Sequence, residues 1–392
     1  MTENLTVTND IKTLSDELIS WLIEQALPVW YSEGTRPDIG DCFETISLED
    51  IKGVRADRRA RIVPRQIYSF LVGAELGWNG PAKNIASAIW TWFENTYKTP
   101  EGHFANAVGM DGRISDSGFD LYNHAFALFG LATIKRTVPD LAEASETKAK
   151  RILDLLIRAY RHPSAGFREA NPDKTPLRSN PHMHLFETFL AWEAISDDPV
   201  WSDLADEIAE LALAHFIDPV SGGLREFFDI DWSPMPDDSG RVMEPGHQFE
   251  WAWLLVKWGQ SRKDADALIA ARRLYDIGRT FGIDESRGAA FMSLNDDFAV
   301  RDPVARLWGQ TEWIKAGVAL ASISTGVERD AYLADIPTSV NALTAYFKNV
   351  PPGLYTDKWS ADGTFKAEPA PASSLYHIVC AISELNAFAK TL

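Results

Sequence analysis

The sequence predicts an all-α protein folded as a single (α/α)6 barrel, six inner helices standing side by side and six outer helices covering them. Three observations predict it. Apolar residues recur mostly at helical spacing, and β-branched alternating runs are scarce. Loops of one character recur, among them "YKTPEGHFANAVGMDG", "YRHPSAGFREANPDKT" and "VPPGLYTDKWSADG", and the glycines Gly102, Gly166, Gly222, Gly288 and Gly353 within this series stand roughly 60 residues apart. A chain of 392 residues holds six such units. Two helices joined by a Gly-aromatic turn or short β-hairpin loop at one mouth fit neither a parallel α/β sheet nor a four-helix bundle. One catalytic domain over residues 1–392 absorbs the whole chain. An open HEAT-like solenoid is the helical alternative, and the match of repeat count to length favours closure.

In order, helices are expected at 12–30, 60–77, 82–97, 119–136, 142–160, 182–196, 199–216, 246–259, 263–280, 304–323, 328–347 and 373–389. Pro81 marks the start of the third and Asn180-Pro181 that of the sixth, since proline's missing amide costs no bond in a first turn. Every second helix carries polar residues near its start. These are Arg65; Asn123 with His124; His184 with Glu187; His247 with Glu250; Glu312 with Trp313; and His377. If these helices are the inner ones, six distant segments converge on one funnel.

Arg65 sits among apolar neighbours in "RIVPRQIYSF", which suits a guanidinium aimed at oxygen ligands, and Tyr68 follows one turn later as a donor to a hydroxyl. In "SNPHMHLFETFLAWE" the three-residue spacing puts His184 and Glu187 on one face, and His184 is preferred over His182 as the funnel residue. "EPGHQFEWAWLLVKW" repeats that spacing with His247 and Glu250, so that a carboxylate beside an imidazole tunes it for proton transfer near neutral pH. In "RLWGQTEWIKA", Trp308, Gln310, Glu312 and Trp313 form a sugar-binding wall of aromatic planes and hydrogen-bonding groups. His377 opens the last helix and closes the ring toward Arg65. Tyr376 beside it reads as packing.

With 56 acidic and 38 basic residues the net charge is -18, which disfavours nucleic acid and anionic membranes. No run of eighteen apolar residues and no leader-like segment occur, so a soluble cytoplasmic protein is expected. Cys42 and Cys380 read as core residues of a reduced compartment. Neither H-E-x-x-H nor paired cysteines are present, and neither G-x-G-x-x-G nor G-x-x-x-x-G-K, so no metal and no cofactor are expected. The expected partner is a small monosaccharide, with the protein a monomer or homodimer. A glycoside hydrolase on this fold needs two funnel carboxylates, and a mouth rich in histidine argues against it.

The motifs "VPRQIYSF", "NPHMHLFE", "EPGHQFEWAW", "RLWGQTEWIKA" and "LYHIVCAI" resemble the N-acylglucosamine 2-epimerase superfamily of (α/α)6-barrel sugar epimerases and aldose–ketose isomerases, and within it the bacterial mannose isomerase branch. The resemblance spans nearly the whole chain. It implies that Arg65 holds substrate hydroxyls and stabilises negative oxygen, that His184 is the first funnel histidine, that His247 with Glu250 is the second, and that His377 is the third. His247 and His377 would be the catalytic pair. The implied reaction interconverts D-mannose and D-fructose through an enediol, with D-lyxose and D-xylulose as a smaller pair. A 2-epimerase, a sulfoquinovose isomerase and a non-catalytic sugar-binding toroid are the alternatives. A free sugar is preferred to a sugar phosphate because Arg65 alone reads as a cation at the mouth.

Overall fold

Half of the long helices are apolar almost all round and the other half on one face only, and this difference sorts them into two layers. The computed structural model describes the backbone of residues 2–392 and the side chains of residues 7–392. Its α-helices are α1 (Thr2–Trp21), α2 (Leu27–Ser32), α3 (Ile62–Glu75), α4 (Ala82–Tyr97), α5 (Leu121–Thr137), α6 (Ala142–Tyr160), α7 (Ser179–Glu193), α8 (Val200–Leu211), α9 (Pro245–Arg262), α10 (Ala265–Phe281), α11 (Leu307–Ile323), α12 (Gly326–Thr344) and α13 (Ala372–Ala389). In α11 almost every side chain from Leu307 to Ala321 is buried. In α6 the buried positions are Ser145, Ala149, Ile152, Leu153, Leu156 and Tyr160, one stripe at helical spacing.

The inner ring is α3, α5, α7, α9, α11 and α13, each packed on the next, and α13 returns to pack on α3. Closure therefore holds, and the open solenoid is excluded. Gln66 Nε2 donates to the Ala372 carbonyl at 3.1 Å across this seam. Outer helices α4, α6, α8, α10 and α12 cover their inner partners, and α1 covers α13. Aromatic side chains fill the space between the layers. Trp192 of α7 stacks on Trp201 of α8 with ring centroids 4.8 Å apart, and both are fully buried.

The helix expected at 12–30 is longer. It begins at Thr2 and runs through a π-helical turn, Leu22–Ala26, into α2 and on to Ser32. That turn keeps Leu22, Ala26, Leu27 and Trp30 all facing the ring. The polar start of α1 gave no apolar period by which to place it.

The short strands lie in the segments that lead into the inner helices, so they gather at one mouth. Most tie neighbouring repeats together. Leu177–Arg178 before α7 pairs with Phe227–Phe228 before α9, and Ala305–Arg306 before α11 pairs with Lys358–Trp359 before α13. Ala370–Pro371 pairs with Thr45–Ile46, joining the last repeat to the first. Among the described residues no helix is long and apolar enough to cross a membrane. Cys42 and Cys380 are buried free thiols.

Candidate active site

Because the inner helices run in parallel, the first turn of each opens on the same space. A cavity of about 550 Å³ lies there, reached by Arg65 and Tyr122 from α3 and α5, His184 from α7, His247 from α9, Trp308 from α11 and His377 from α13. Six helix N-termini point their partial positive charge toward it, which favours negative charge at its centre.

Each of the three cavity histidines rests on a carboxylate. His377 Nδ1 lies 2.9 Å from Glu312 Oε1, His247 Nδ1 2.9 Å from Glu226 Oε1, and His184 Nδ1 3.3 Å from Glu187 Oε2. A carboxylate that takes the Nδ1 proton leaves the other ring nitrogen for the cavity. The surroundings then separate the histidines. Burial works against a charged His247, but Glu226 and Glu244 outweigh it and carry the imidazole up to about 10. Burial drives His377 well below its ordinary value, and Arg65 and Lys315 push the same way. Near neutral pH the site therefore holds an imidazolium at His247 and a neutral imidazole at His377. Two groups with opposed protonation in one cavity are the equipment for acid and base catalysis.

The expected partner of His247 is corrected. Glu250 follows on the same helix, yet its carboxylate points down the barrel axis, 4.0 Å from His184 Nδ1 and 3.5 Å from Lys315 Nζ. The carboxylate that holds His247 is Glu226, delivered by the turn before α9 and fixed by Ser179 Oγ at 2.8 Å. Sequence reasoning missed Glu226, whose only signal is its place just after a repeat glycine, in "SGGLREFF".

Arg65 is almost fully buried, with no carboxylate within salt-bridge distance among the described residues. Its guanidinium lies 4.0 Å from the Phe126 ring centroid, donates to Tyr122 Oη, and leaves Nε unpartnered. A buried cation of this kind is poised for a ligand's oxygen.

Four other expected contacts lie away from the cavity. Tyr68 faces a second cavity of about 540 Å³ at the far end of the barrel, packed edge-on to Tyr376, because one further turn carries it past the mouth. Asn123 is buried and accepts from Arg61 Nε at 3.0 Å while donating to Asn106 at 2.9 Å. Trp313 points outward between the layers, its Nε1 donating to Asp335 at 2.8 Å. Gln310 braces a loop, its Oε1 accepting from the Ala290 amide at 2.9 Å. Glu187 and Glu312 act from beneath the histidines rather than from the wall.

The Gln310 bond belongs to a repeated device. The fourth residue of α5, α7, α9 and α11 accepts a backbone amide from the preceding Gly-aromatic turn: His124 from Phe104, His182 from Phe167, Gln248 from Leu224, and Gln310 from Ala290. His124 and His182 also donate from Nδ1 to carbonyls of Asp120 and Arg178. Burial drives both histidines down to about 4, so they brace as neutral groups. His184, two residues beyond His182, is the one that reaches the cavity.

The rim is more cationic than the sequence suggested, since Arg59, Arg61, Arg178, Arg306 and Lys358 all reach the cavity beside Arg65. All five are ion-paired: Arg59 with Glu44, Arg61 with Asp120, Arg178 with Glu169, Arg306 with Asp357 and Lys358 with Glu368. Deeper down, His184, Glu187, Glu250, Glu312 and His377 bring nitrogen and oxygen atoms close together. The positive charge among them is the Lys315 ammonium, 2.5 Å from Glu312 Oε2, and we assign no metal there.

A closed ring of helix pairs with paired histidines and carboxylates at one mouth defines the class of sugar isomerases and epimerases. The chain belongs to the N-acylglucosamine 2-epimerase (GlcNAc 2-epimerase) family, whose model it matches over residues 43–381. It is 46% identical over 382 residues, 96% of this chain and 98% of the relative, to a protein of Rhizobium meliloti (strain 1021) named mannose-6-phosphate isomerase. It is 29% identical over 248 residues, 57% of this chain and 58% of the relative, to the D-mannose isomerase of Thermobifida fusca. A crystal structure of a D-mannose isomerase superposes with TM-score 0.85 at 19% identity, covering 98% of each chain. Cellobiose 2-epimerase from Bacillus thermoamylovorans B4167 superposes with TM-score 0.83 at 16% identity, over 97% of this chain and 100% of that one. At those identities the structural matches speak for the fold.

Proposed function

We propose that the protein is an aldose–ketose isomerase that interconverts D-mannose and D-fructose, with D-lyxose and D-xylulose as a smaller pair, within one catalytic domain and without a metal or cofactor. The observation that carries the reading is that His247 and His377 face a single cavity, each with its Nδ1 2.9 Å from a buried carboxylate, in surroundings that favour the imidazolium at His247 and the neutral ring at His377. The His247 imidazolium donates a proton to the ring oxygen and, once neutral, takes the O1 proton as the C1–O5 bond breaks. Neutral His377 removes the proton from C2 while His247 protonates O1, giving an enediol. His377 then returns its proton to C1 while His247 takes the proton from O2. Arg65 and the inner-helix N-termini stabilise the negative charge that develops on O1 and O2. His184 holds a hydroxyl, and the Trp308 ring, its centroid 4.9 Å from that of His247 and 6.0 Å from that of His377, walls one side.

Proton NMR of the protein with D-mannose in deuterated water tests this, with a chelator-treated sample alongside. Fructose formed equally in both samples supports the reading, and label at C1 reports exchange of the transferred proton with solvent. Glucose without fructose assigns the same site to 2-epimerisation.

A hexose 6-phosphate is the second reading, favoured by the rim cations and by the name of the Rhizobium meliloti relative. Measured side by side, a kcat/KM for mannose 6-phosphate more than about tenfold above that for mannose, a difference of about 1.4 kcal/mol, assigns the rim to the anion. A sulfonated hexose in the same series separates phosphate from a general preference for anions.

A further inference from the structure

Lys315 lies at the barrel axis, and the proposed chemistry leaves it unused. It is fully buried on α11. Its ammonium lies 2.5 Å from Glu312 Oε2 on its own helix, 3.5 Å from Glu250 Oε1 on α9, and 3.9 Å from the Trp253 ring centroid. Glu187 of α7 and Cys380 of α13 also act on its charge, and its own charge acts on His377 of α13. Three buried carboxylates thus share one lysine. Glu312 is the carboxylate that touches both the lysine and His377, through different oxygens.

We propose that Lys315 is a positioning residue: its ammonium, 2.5 Å from Glu312 Oε2, fixes Glu312 so that Oε1 accepts a hydrogen bond from His377 Nδ1–H and the other ring nitrogen faces the sugar as a base. The inference rests on the isomerase reading for its kinetic consequence but not for its geometry. Burial and then Glu250 hold the Glu312 carboxyl well above the usual carboxylate range, and Lys315 is the cation that opposes them, so that losing it favours the protonated acid further. A protonated Glu312 would donate to Nδ1 instead. The neutral imidazole would then carry its hydrogen on Nε2, and the base would be lost.

The test uses the full-length protein as wild type, Lys315→Met, Lys315→Arg, Glu312→Gln and the double variant Lys315→Met/Glu312→Gln. Lys315→Met is expected to lower kcat by about 10²-fold with KM nearly unchanged, and to move the acid limb of the kcat profile to higher pH. Lys315→Arg should restore the limb. In the Glu312→Gln background the methionine should cost little more, because both changes act through one carboxylate. Nitrogen-15 NMR of the imidazoles supplies a readout independent of turnover. His377 should carry its hydrogen on Nδ1 in wild type and Lys315→Arg, and on Nε2 in Lys315→Met and Glu312→Gln. An unchanged tautomer in folded Lys315→Met, or additive losses in the double variant, overturns the proposal. If Lys315→Met fails to fold, the tautomers in wild type and Glu312→Gln decide. Absence of wild-type turnover on any aldose, with the tautomers as expected, would sink the isomerase reading and leave the positioning role standing.

Discussion

Glu226 Oε1 lies 2.9 Å from His247 Nδ1 although 21 residues separate them, while Glu250, on the same helix as His247, turns toward His184 and Lys315. The imidazolium at His247 is therefore held from a loop. Glu226→Gln removes the charge but keeps the shape, and should lower kcat/KM by about 10²-fold, within the range for losing a tuned acid. Glu250→Gln should move the alkaline limb of the pH profile far less. Equal shifts in the two variants would return the role to Glu250.

The pH dependence has a definite sign. The proposed reaction needs His377 neutral and His247 protonated. Activity should fall in acid as His377 takes a proton, below its ordinary value of 6.5, and fall in alkali as His247 loses one near 10. Folding follows the same group. The pKa of His247 is raised on folding, so its contribution to stability is complete below 6.5 and lost as pH rises through about 10. Thermal melts across that range should show Tm declining in wild type and declining less in His247→Gln. A single limb near 6.5 in the rate profile would remove the split between the two histidines.

The sequence carried the ring well because its signals were local. Helical periodicity, the recurring glycines and one polar cluster per inner helix each survive without tertiary knowledge. His184, His247, His377 and Arg65 were legible because a first turn on parallel helices must face one mouth. What escaped depends on where side chains point within a turn. Gln310 and Trp313 stand close in sequence to Trp308, yet one braces a loop, one packs outward and only Trp308 reaches the cavity. Glu226 and the rim arginines escaped because loops carry them, and loops have no period.

His124 and His182 predict acid sensitivity. Both sit near 4 when folded, so the stability tied to their neutral form is complete above 6.5 and lost as pH falls toward 4. Each contributes on the order of 3 kcal/mol at most, since every tenfold loss of proton affinity on folding is worth about 1.36 kcal/mol. Gln248 and Gln310 make the same brace without a titrating group. His124→Gln and His182→Gln should therefore move the acid unfolding midpoint to lower pH and leave Tm at neutral pH within about 5 °C. A large loss of Tm at neutral pH would show that the imidazole shape itself is required.

Arg65 predicts a difference between charge and geometry. A lysine keeps the positive charge but not the planar set of donors shared between Tyr122 Oη, the Ser373 carbonyl and the ligand. Arg65→Lys should lower kcat by about 10²-fold if the guanidinium stabilises developing negative charge. Arg65→Met should lose more. A change confined to KM would instead give Arg65 a role in ground-state binding, because only interactions strengthened in the transition state raise kcat.

Gly246, immediately before His247, predicts how closely the site tolerates its wall. A Cβ there would clash with Trp308 Cζ3 and meet the Gly309 Cα at 3.1 Å, where α9 and α11 approach. The closest atoms belong to the indole, so Gly246→Ala should displace the indole, and toward the sugar if it walls the cavity. KM should rise by about tenfold through lost positioning, while the pH limbs set by Glu226 and Glu312 stay in place. Adding Trp308→Phe, which removes the clashing atoms, should recover part of the loss. If KM stays level and Tm falls instead, the indole has moved away from the cavity and Trp308 is not the wall that orients the substrate.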